Sequence, residues 1–474
     1  MLVPAIHALY LGLHRIAQPF FYSSLLFLVL SFFLGISLRH PREKSKPNQT
    51  LFSLITFYLV LPFFLAVPVS ESLVGITFFD LYFEMFSCLT TTGATIFDSS
   101  HLIAEPIHLW RALIGWLGGF VFLLIAFAIL EPMNVGGFEL FRTNSIANVA
   151  TRIIIANNSE DRLLKYCRKL FPIYFLITAA IFLLLMSTGN RAFTSLILAF
   201  STISTSGILP NNTGKVLEVG FISQFIILLF LFCNLSHTFL TSTNTSIIKR
   251  LKGERELRVA VILISVVFLF LFLTEIIDLF FSRDTHIAIT NPSRVWAIIF
   301  TLFSFVTTTG FLLETSTNQI LGVPFSILAA LTLVGGGVAT TAGGIKLIRV
   351  YVLFKHSSNE VRRLTHPRSI TGFTYVGRDI KNNGAFSAWI FFMLFAVIGA
   401  VMVLLLSFFS INLEDSIILT ISAISTNGNL AFLAIENFSY KELDGIVKGC
   451  LLLGMLAGRF EMLAILAILL PSRW

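Results

Sequence analysis

The sequence predicts an all-α polytopic membrane protein assembled from four copies of one unit, and three observations carry that prediction. The chain is 56% hydrophobic and 12% charged, with a mean hydropathy of +0.87, against about 25% charged residues in an average soluble domain. Its apolar runs reach the roughly 20 residues that a helix needs to cross a bilayer. One short string also recurs four times: FSCLTTTG ending at Gly93, FSTISTSG at Gly207, FSFVTTTG at Gly310 and ISAISTNG at Gly428. Ser stands six before each glycine (Ser87, Ser201, Ser304, Ser422), Thr two before (Thr91, Thr205, Thr308, Thr426), and an aliphatic residue four before. The repeats lie roughly 110 residues apart, well beyond the 20 to 50 of solenoid units. One structural task is therefore performed four times about a common axis.

Residues 1–50 form an N-terminal region of one or two extra helices. Residues 20 to 38 read as one helix, whereas Met1 to Ala17 is too short to span and too apolar for a solvated tail. That segment lacks a basic start and a small-residue cleavage site, so it is not read as a signal peptide. The four repeats follow at 51–141, 142–257, 258–385 and 386–474, the second and third each including a cytoplasmic linker. Each begins with a long apolar stretch: Leu51 to Val69, Leu170 to Met186, Val259 to Phe281, Ala388 to Phe409. Each ends with another: Leu109 to Leu130, Phe221 to Leu240, Pro324 to Phe354, Ile446 to Leu470. The apolar piece between them, such as Leu81 to Leu89, is about half a bilayer span at 1.5 Å per residue, so it dips in and returns. Unpaired backbone at membrane depth costs several kcal/mol per group unless it lines water or is buried in protein. The expected architecture is thus four helix/pore-helix/helix repeats around a central water-filled pore.

Charge sets the orientation. Of 33 lysines and arginines, 22 lie in the connections between units, at Arg39 to Lys46, Arg142 to Lys169, Lys249 to Arg258 and Arg349 to Lys381. Seven lie within units: Arg111, Arg191, Lys215, Arg283, Arg294, Lys441 and Lys448. By the positive-inside rule the between-unit loops are cytoplasmic and the dipping pieces enter from outside. The net charge of +8 is therefore a topology signal and not a nucleic-acid footprint.

Short helices that end at the motifs aim their carbonyl ends, with about half a negative charge each, at the loops, and four together favour a cation. Glycine permits backbone turns that other residues avoid. Rings of carbonyl oxygens replace a hydration shell in selective cation filters. Close helix packing is the other use of Ser, Thr and Gly, but four matching offsets in four dipping pieces argue for the filter.

The four motifs, WRALIGWLGG (Trp110 to Gly119), GGGVATTAGGIKLIR (Gly335 to Arg349), HPR (His366 to Arg368) and GRFE (Gly458 to Glu461) together resemble the Trk/Ktr/HKT superfamily of potassium transporters, most closely its TrkH-type bacterial membrane subunits. The resemblance runs from about residue 20 to near the end. It implies a potassium uptake pore in the bacterial cytoplasmic (inner) membrane, a homodimer with one pore per protomer, and a separate cytoplasmic ring of nucleotide-binding regulatory subunits. It implies a K⁺ filter of Thr91, Thr92, Gly93, Thr205, Ser206, Gly207, Thr308, Thr309, Gly310, Thr426, Asn427 and Gly428. The ions themselves are the only bound group expected, with no cofactor. Members that carry Na⁺ often have serine at the first filter glycine, where this chain has Gly93. The fourth motif departs most, with Asn427 in place of Thr or Ser.

The run Gly335, Gly336, Gly337, then Ala339 to Gly344 including Thr340, Thr341 and Gly343, is too rich in small residues to hold a regular helix. It is not a P-loop, because Lys346 follows Ile345 and precedes Leu347. The resemblance makes it an unwound gate below the filter. Arg459 falls near the middle of the last span, where a charge normally faces a cavity or partner. In the family this position faces the pore and limits cation flow. Glu461, two residues on, lies on another helix face. Glu84, in the first dipping piece, is expected to bond nearby loop amides.

The four cysteines share no paired or metal-ligand spacing. No H-E-x-x-H or Ser-His-Asp arrangement can be singled out, so an enzyme is not expected. The alternative function is a secondary transporter with broken helices coupling solute movement to H⁺ or Na⁺. Without a G-x-G-x-x-G or a long soluble region, regulation falls to another subunit. The loops Arg142 to Lys169 and Arg349 to Lys381 are its expected docking surfaces.

Overall fold

A computed structural model of the chain describes residues 1–37, 47–97, 103–131, 159–210, 217–236, 255–281, 292–313, 323–366, 384–435 and 438–460. The described residues are all-helical outside their turns and loops. Two N-terminal helices, α1 (Leu2–Tyr10) and α2 (His14–Ser37), come first. The N-terminal segment that is too short to span is thus a nine-residue helix of its own. It packs on the helix Glu105–Ile125, and His7 stacks on Phe193, in the helix Ala192–Ser204, at 5.6 Å.

The first unit is α3 (Pro47–Ser72), α4 (Phe78–Leu89) and α5 (Glu105–Ile125), the last running into a π-helical turn at Ala126–Leu130. The second is α6 (Ser159–Ser187), α7 (Ala192–Ser204) and α8 (Phe221–Cys233). The third is α9 (Arg255–Phe281), α10 (Pro292–Val306), α11 (Phe325–Val334) and α12 (Leu347–Thr365). The fourth is α13 (Gly384–Phe408), α14 (Leu413–Ile424), the short α15 (Asn429–Ala434) and α16 (Gly445–Phe460). Six helices among the described residues are long and apolar enough to cross a membrane. The short helices α4, α7, α10 and α14, of 12 to 15 residues, reach only part of the way. Large apolar side chains such as Leu25, Leu28, Phe32, Phe175 and Leu404 stay exposed on the outer helices, as a lipid-facing surface requires.

The units close into a ring. Each short helix packs against the second long helix of the preceding unit: α7 on α5, α10 on α8, α14 on α11, and α4 on α16. Lipid tails are as apolar as leucine, so the ring is held by close packing and buried polar contacts more than by the hydrophobic effect. One such contact spans the seam between first and fourth units, where Lys448 Nζ meets Asp80 Oδ1 at 2.5 Å.

Three basic residues that the sequence reading places in connections within units sit inside helices instead, one of them Arg294 in α10. Arg111 is buried in α5 and Lys448 in α16, each opposite a carboxylate. The expected limit at 141–142, Arg39 to Lys46, Arg142 to Arg152, Lys249 to Lys252, Pro367 to Lys381, Lys215, Arg283 and Glu461 lie outside the described residues.

Candidate functional site: a ring of four turns over an unwound segment

Each short helix ends in the same way. The amide one before the glycine donates to the carbonyl six before it: Thr92 to Ser87 (2.9 Å), Ser206 to Ser201 (3.2 Å), Thr309 to Ser304 (2.9 Å) and Asn427 to Ser422 (3.0 Å). This is the 6→1 bond of a Schellman helix end, which needs a left-handed residue just past the helix. That residue is threonine in all four, with φ of 54° at Thr91, 53° at Thr205, 55° at Thr308 and 53° at Thr426. A β-branched residue there costs ~1–2 kcal/mol. Such strain persists where surroundings impose it, and it clusters at functional sites.

The glycines then turn the chain. Gly93, Gly207 and Gly310 have φ of 72°, 66° and 75°. A methyl on Gly93 would overlap Ser206 O, one on Gly207 would overlap Thr309 O, and one on Gly310 would overlap Asn427 Oδ1. A methyl on Gly428 would overlap the amide of Ala94, and Gly428 N donates to Thr92 O (2.6 Å). Each motif thus abuts the next in chain order, and the fourth closes on the first.

The fourth turn differs, as its sequence suggests. Gly428 has φ of −63° and leads directly into α15. Asn427 O accepts from Ser422 Oγ (2.9 Å) and Gly428 O from Tyr440 Oη (3.0 Å). The buried Asn427 carboxamide has no hydrogen-bond partner among the described residues.

Behind the first turn sits a buried ion pair. Arg111 Nε donates to Glu84 Oε1 (2.6 Å), Arg111 Nη2 to Thr95 Oγ1 (2.8 Å), and Ile96 N to Glu84 Oε2 (2.8 Å). The loop-amide bond expected of Glu84 is present, and its arginine partner is an addition. The equivalent positions in the other motifs are Leu198, Thr301 and Leu419, so the brace belongs to the first turn alone.

The segment between α11 and α12 packs directly beneath the ring. Gly343 N donates to Thr308 Oγ1 (2.8 Å), and a methyl at Gly343 would overlap Ser425 O and Thr426 Oγ1. Thr341 Oγ1 donates to Ile203 O (3.3 Å), and Gly336 N to Val306 O (2.9 Å). Gly336 (φ 85°), Ala339 (54°), Gly344 (79°) and Lys346 (82°) hold backbone that no helix can adopt. Gly335, Gly337, Thr340 and Lys346 are part of the same buried segment. Thr340 Oγ1 bonds Gly337 O (2.8 Å) and Lys346 Nζ bonds Ala342 O (2.6 Å). Glu256 at the start of α9 accepts from Val338 N (3.3 Å).

Arg459 reaches this segment from α16. It is 2% exposed; Nη1 donates to Thr341 O (2.5 Å) and the guanidinium lies 4.0 Å from the centre of the Phe122 ring. Its Nε and Nη2 have no hydrogen-bond partner among the described residues. The structure therefore joins Arg459 and the glycine-rich run, whose contacting residues Arg459 and Thr341 lie 118 positions apart in the chain, into one cluster below the ring.

Three glycines outside the motifs gain a reason that sequence reasoning missed. A methyl at Gly118 would overlap Leu89 O, one at Gly335 Val306 O, and one at Gly458 Ile424 O. Those carbonyls are the aliphatic positions four before each motif glycine. In the second unit Asn234 stands on the other side, its Nδ2 bonding Thr202 O (2.6 Å). The second long helices thus approach the short-helix ends at backbone distance. The strings WRALIGWLGG, GGGVATTAGG and GRFE carry the signal, readable only with the partner known.

Four re-entrant turns closed into a ring, with an unwound span packed beneath them, define the class: a four-repeat pore protein of the membrane, passing the bilayer many times. The chain belongs to the TrkH family of cation transport proteins, which it matches over residues 18–473. It is similar to the Trk system potassium uptake protein TrkH of Escherichia coli strain K12, at 26% identity over 487 residues, covering 100% of this chain and 95% of that protein. The TrkH protein of Salmonella typhimurium is 27% identical over 446 residues, covering 92% and 88%. The crystal structure of the potassium transporter TrkH from Vibrio parahaemolyticus superposes with a TM-score of 0.82 at 23% identity, covering 100% of this chain and 95% of that one. As a member of a transport family, the chain is a transporter and not an enzyme.

Proposed function

We propose that this chain carries potassium into the cell across the cytoplasmic membrane, through a gated, channel-like pore whose four turns select the ion. Thr91 to Gly93, Thr205 to Gly207, Thr308 to Gly310 and Thr426 to Gly428 act as the filter. The segment Gly335 to Lys346, tied by Arg459, acts as the gate. The observation that carries this reading is the ring of four left-handed threonine turns closing in chain order over the packed segment. Such a ring sets backbone carbonyls around one axis, as cation filters do. Relatives named as potassium uptake proteins over nearly the full chain support the choice of ion.

Partners follow from the same relatives, whose names place them in a Trk system. The active form is a homodimer, each protomer with its own pore. A separate cytoplasmic ring of nucleotide-binding subunits docks on the basic between-unit loops and moves the gate.

The test is tracer flux into liposomes holding the purified chain. Rb⁺ uptake well above Na⁺ uptake is the expected result; Na⁺ uptake equal to Rb⁺ uptake would contradict potassium selectivity. Single-channel currents in a planar bilayer separate this pore from a coupled transporter, which would give saturable H⁺- or Na⁺-driven uptake without unitary current.

A further inference from the structure

The residue after the fourth glycine reaches across the ring. Asn429 is 6% exposed, and its Nδ2 donates to two motif carbonyls at once, Gly207 O at 3.0 Å and Gly310 O at 3.2 Å. Those glycines belong to the second and third motifs. Because the ring runs in chain order, the second motif stands diagonally opposite the fourth. A group from the fourth motif bonded to both lies over the axis, on the face from which the short helices enter.

The other three motifs hold Ala94, Ile208 and Phe311 at this place, none of which has a side-chain donor. The fourth differs because Gly428 is right-handed, so α15 starts at once and its first side chain turns inward. Tyr440 fixes that start by donating to Gly428 O while pairing with Ser422 Oγ at 3.1 Å. A primary amide has two N–H donors and no charge. Aimed at two carbonyls, it satisfies the groups that would otherwise coordinate a desolvated cation.

We propose that the Asn429 carboxamide occupies the outermost cation position of the ring, and that an entering monovalent cation must displace it. The inference rests on the reading of the ring as a cation path. It makes Asn429 an access residue whose amide competes with the ion and lowers apparent affinity by the fraction of time it sits in place. A side chain that only braced the turns would act otherwise: its loss would loosen the ring and blur discrimination between ions.

The experiment uses the full chain in liposomes, with N429A and N429C beside the wild type. N429A is expected to lower the half-saturating external K⁺ concentration about tenfold, equivalent to ~1.4 kcal/mol, with the Rb⁺ to Na⁺ flux ratio unchanged. A raised half-saturating concentration, or a collapsed ratio, would overturn the proposal in favour of a brace. N429C is read by mass spectrometry, as the rate at which a membrane-impermeant cationic methanethiosulfonate labels the introduced thiol from the outside. Slowing of that rate by K⁺ is expected, and a rate indifferent to K⁺ overturns the axial position. The labelling rate does not depend on flux. If the wild type carried no K⁺ or Rb⁺, the potassium-uptake reading would fail, whereas K⁺ protection of the N429C thiol would still decide the position of Asn429.

Discussion

Replacing Arg459 with alanine should open the pore. The guanidinium holds the Thr341 carbonyl at 2.5 Å and faces the Phe122 ring at 4.0 Å, both inside a buried cluster. A hydrogen bond from a charged donor contributes ~1.5–3 kcal/mol, and a partly desolvated cation–π contact ~1–2 kcal/mol. Removing the unfavourable burial of the charge offsets part of that sum, which leaves ~2 kcal/mol favouring the packed segment. At ~1.4 kcal/mol per factor of ten, resting flux should rise about thirtyfold when the gate is mostly closed. The assay is the initial rate of Rb⁺ efflux from liposomes at matched protein content. Arg459→Gln separates the two ways in which arginine could restrain flow. Glutamine keeps an N–H for Thr341 O but carries no charge, so a flux between wild type and R459A marks the hydrogen bond as a restraint. R459Q matching R459A would leave electrostatic repulsion as the whole effect. R459A flux equal to wild type would overturn this role for Arg459, because the contact would then hold nothing shut.

Other outcomes follow from the same geometry. Gly118→Ala and Gly458→Ala place a methyl on the Leu89 and Ile424 carbonyls. Each should destabilise the chain by at least ~1–3 kcal/mol, visible as a lower melting temperature in detergent; an unchanged melting temperature would deny the backbone contact. Gly310→Ala forces an L-residue into φ of 75° and against Asn427 Oδ1, a strain of at least ~1 kcal/mol. The Rb⁺ to Na⁺ flux ratio should fall, and an intact ratio would argue against that turn as part of the filter. Glu84→Gln leaves the buried Arg111 without its carboxylate at a cost of ~3–5 kcal/mol. Loss of stability by thermal melting is expected, and Arg111→Met in the same background should recover part of it by removing the orphaned charge.

Much of this is legible in the sequence. The −6 and −2 positions of the motif are residues that a Schellman end uses, so a local pattern records a local backbone geometry. The alternation of long and short apolar stretches followed from bilayer thickness alone. The asymmetry of the fourth motif also showed in Asn427, although its structural expression lies one step later, in the right-handed Gly428 and the inward Asn429. What could not be read were contacts between distant residues. Arg111 looks like a loop charge until Glu84 is beside it, and Lys448 until Asp80 is. Gly118 and Gly458 look like helix-packing glycines until the carbonyls they admit are identified. The nine-residue α1 was hidden for a different reason, since its burial against α5 comes from tertiary packing and not from its own pattern.

The division of labour between ring and plug is tested most directly by deleting Val338 to Gly343 and measuring Rb⁺ and Na⁺ efflux side by side in liposomes. Resting Rb⁺ efflux should rise at least tenfold while the Rb⁺ to Na⁺ ratio stays at the wild-type value, because the four turns remain and only the segment beneath them is gone. Unchanged resting efflux from a folded deletion variant would contradict the gate, and efflux that rose with equal rates for the two ions would contradict the filter.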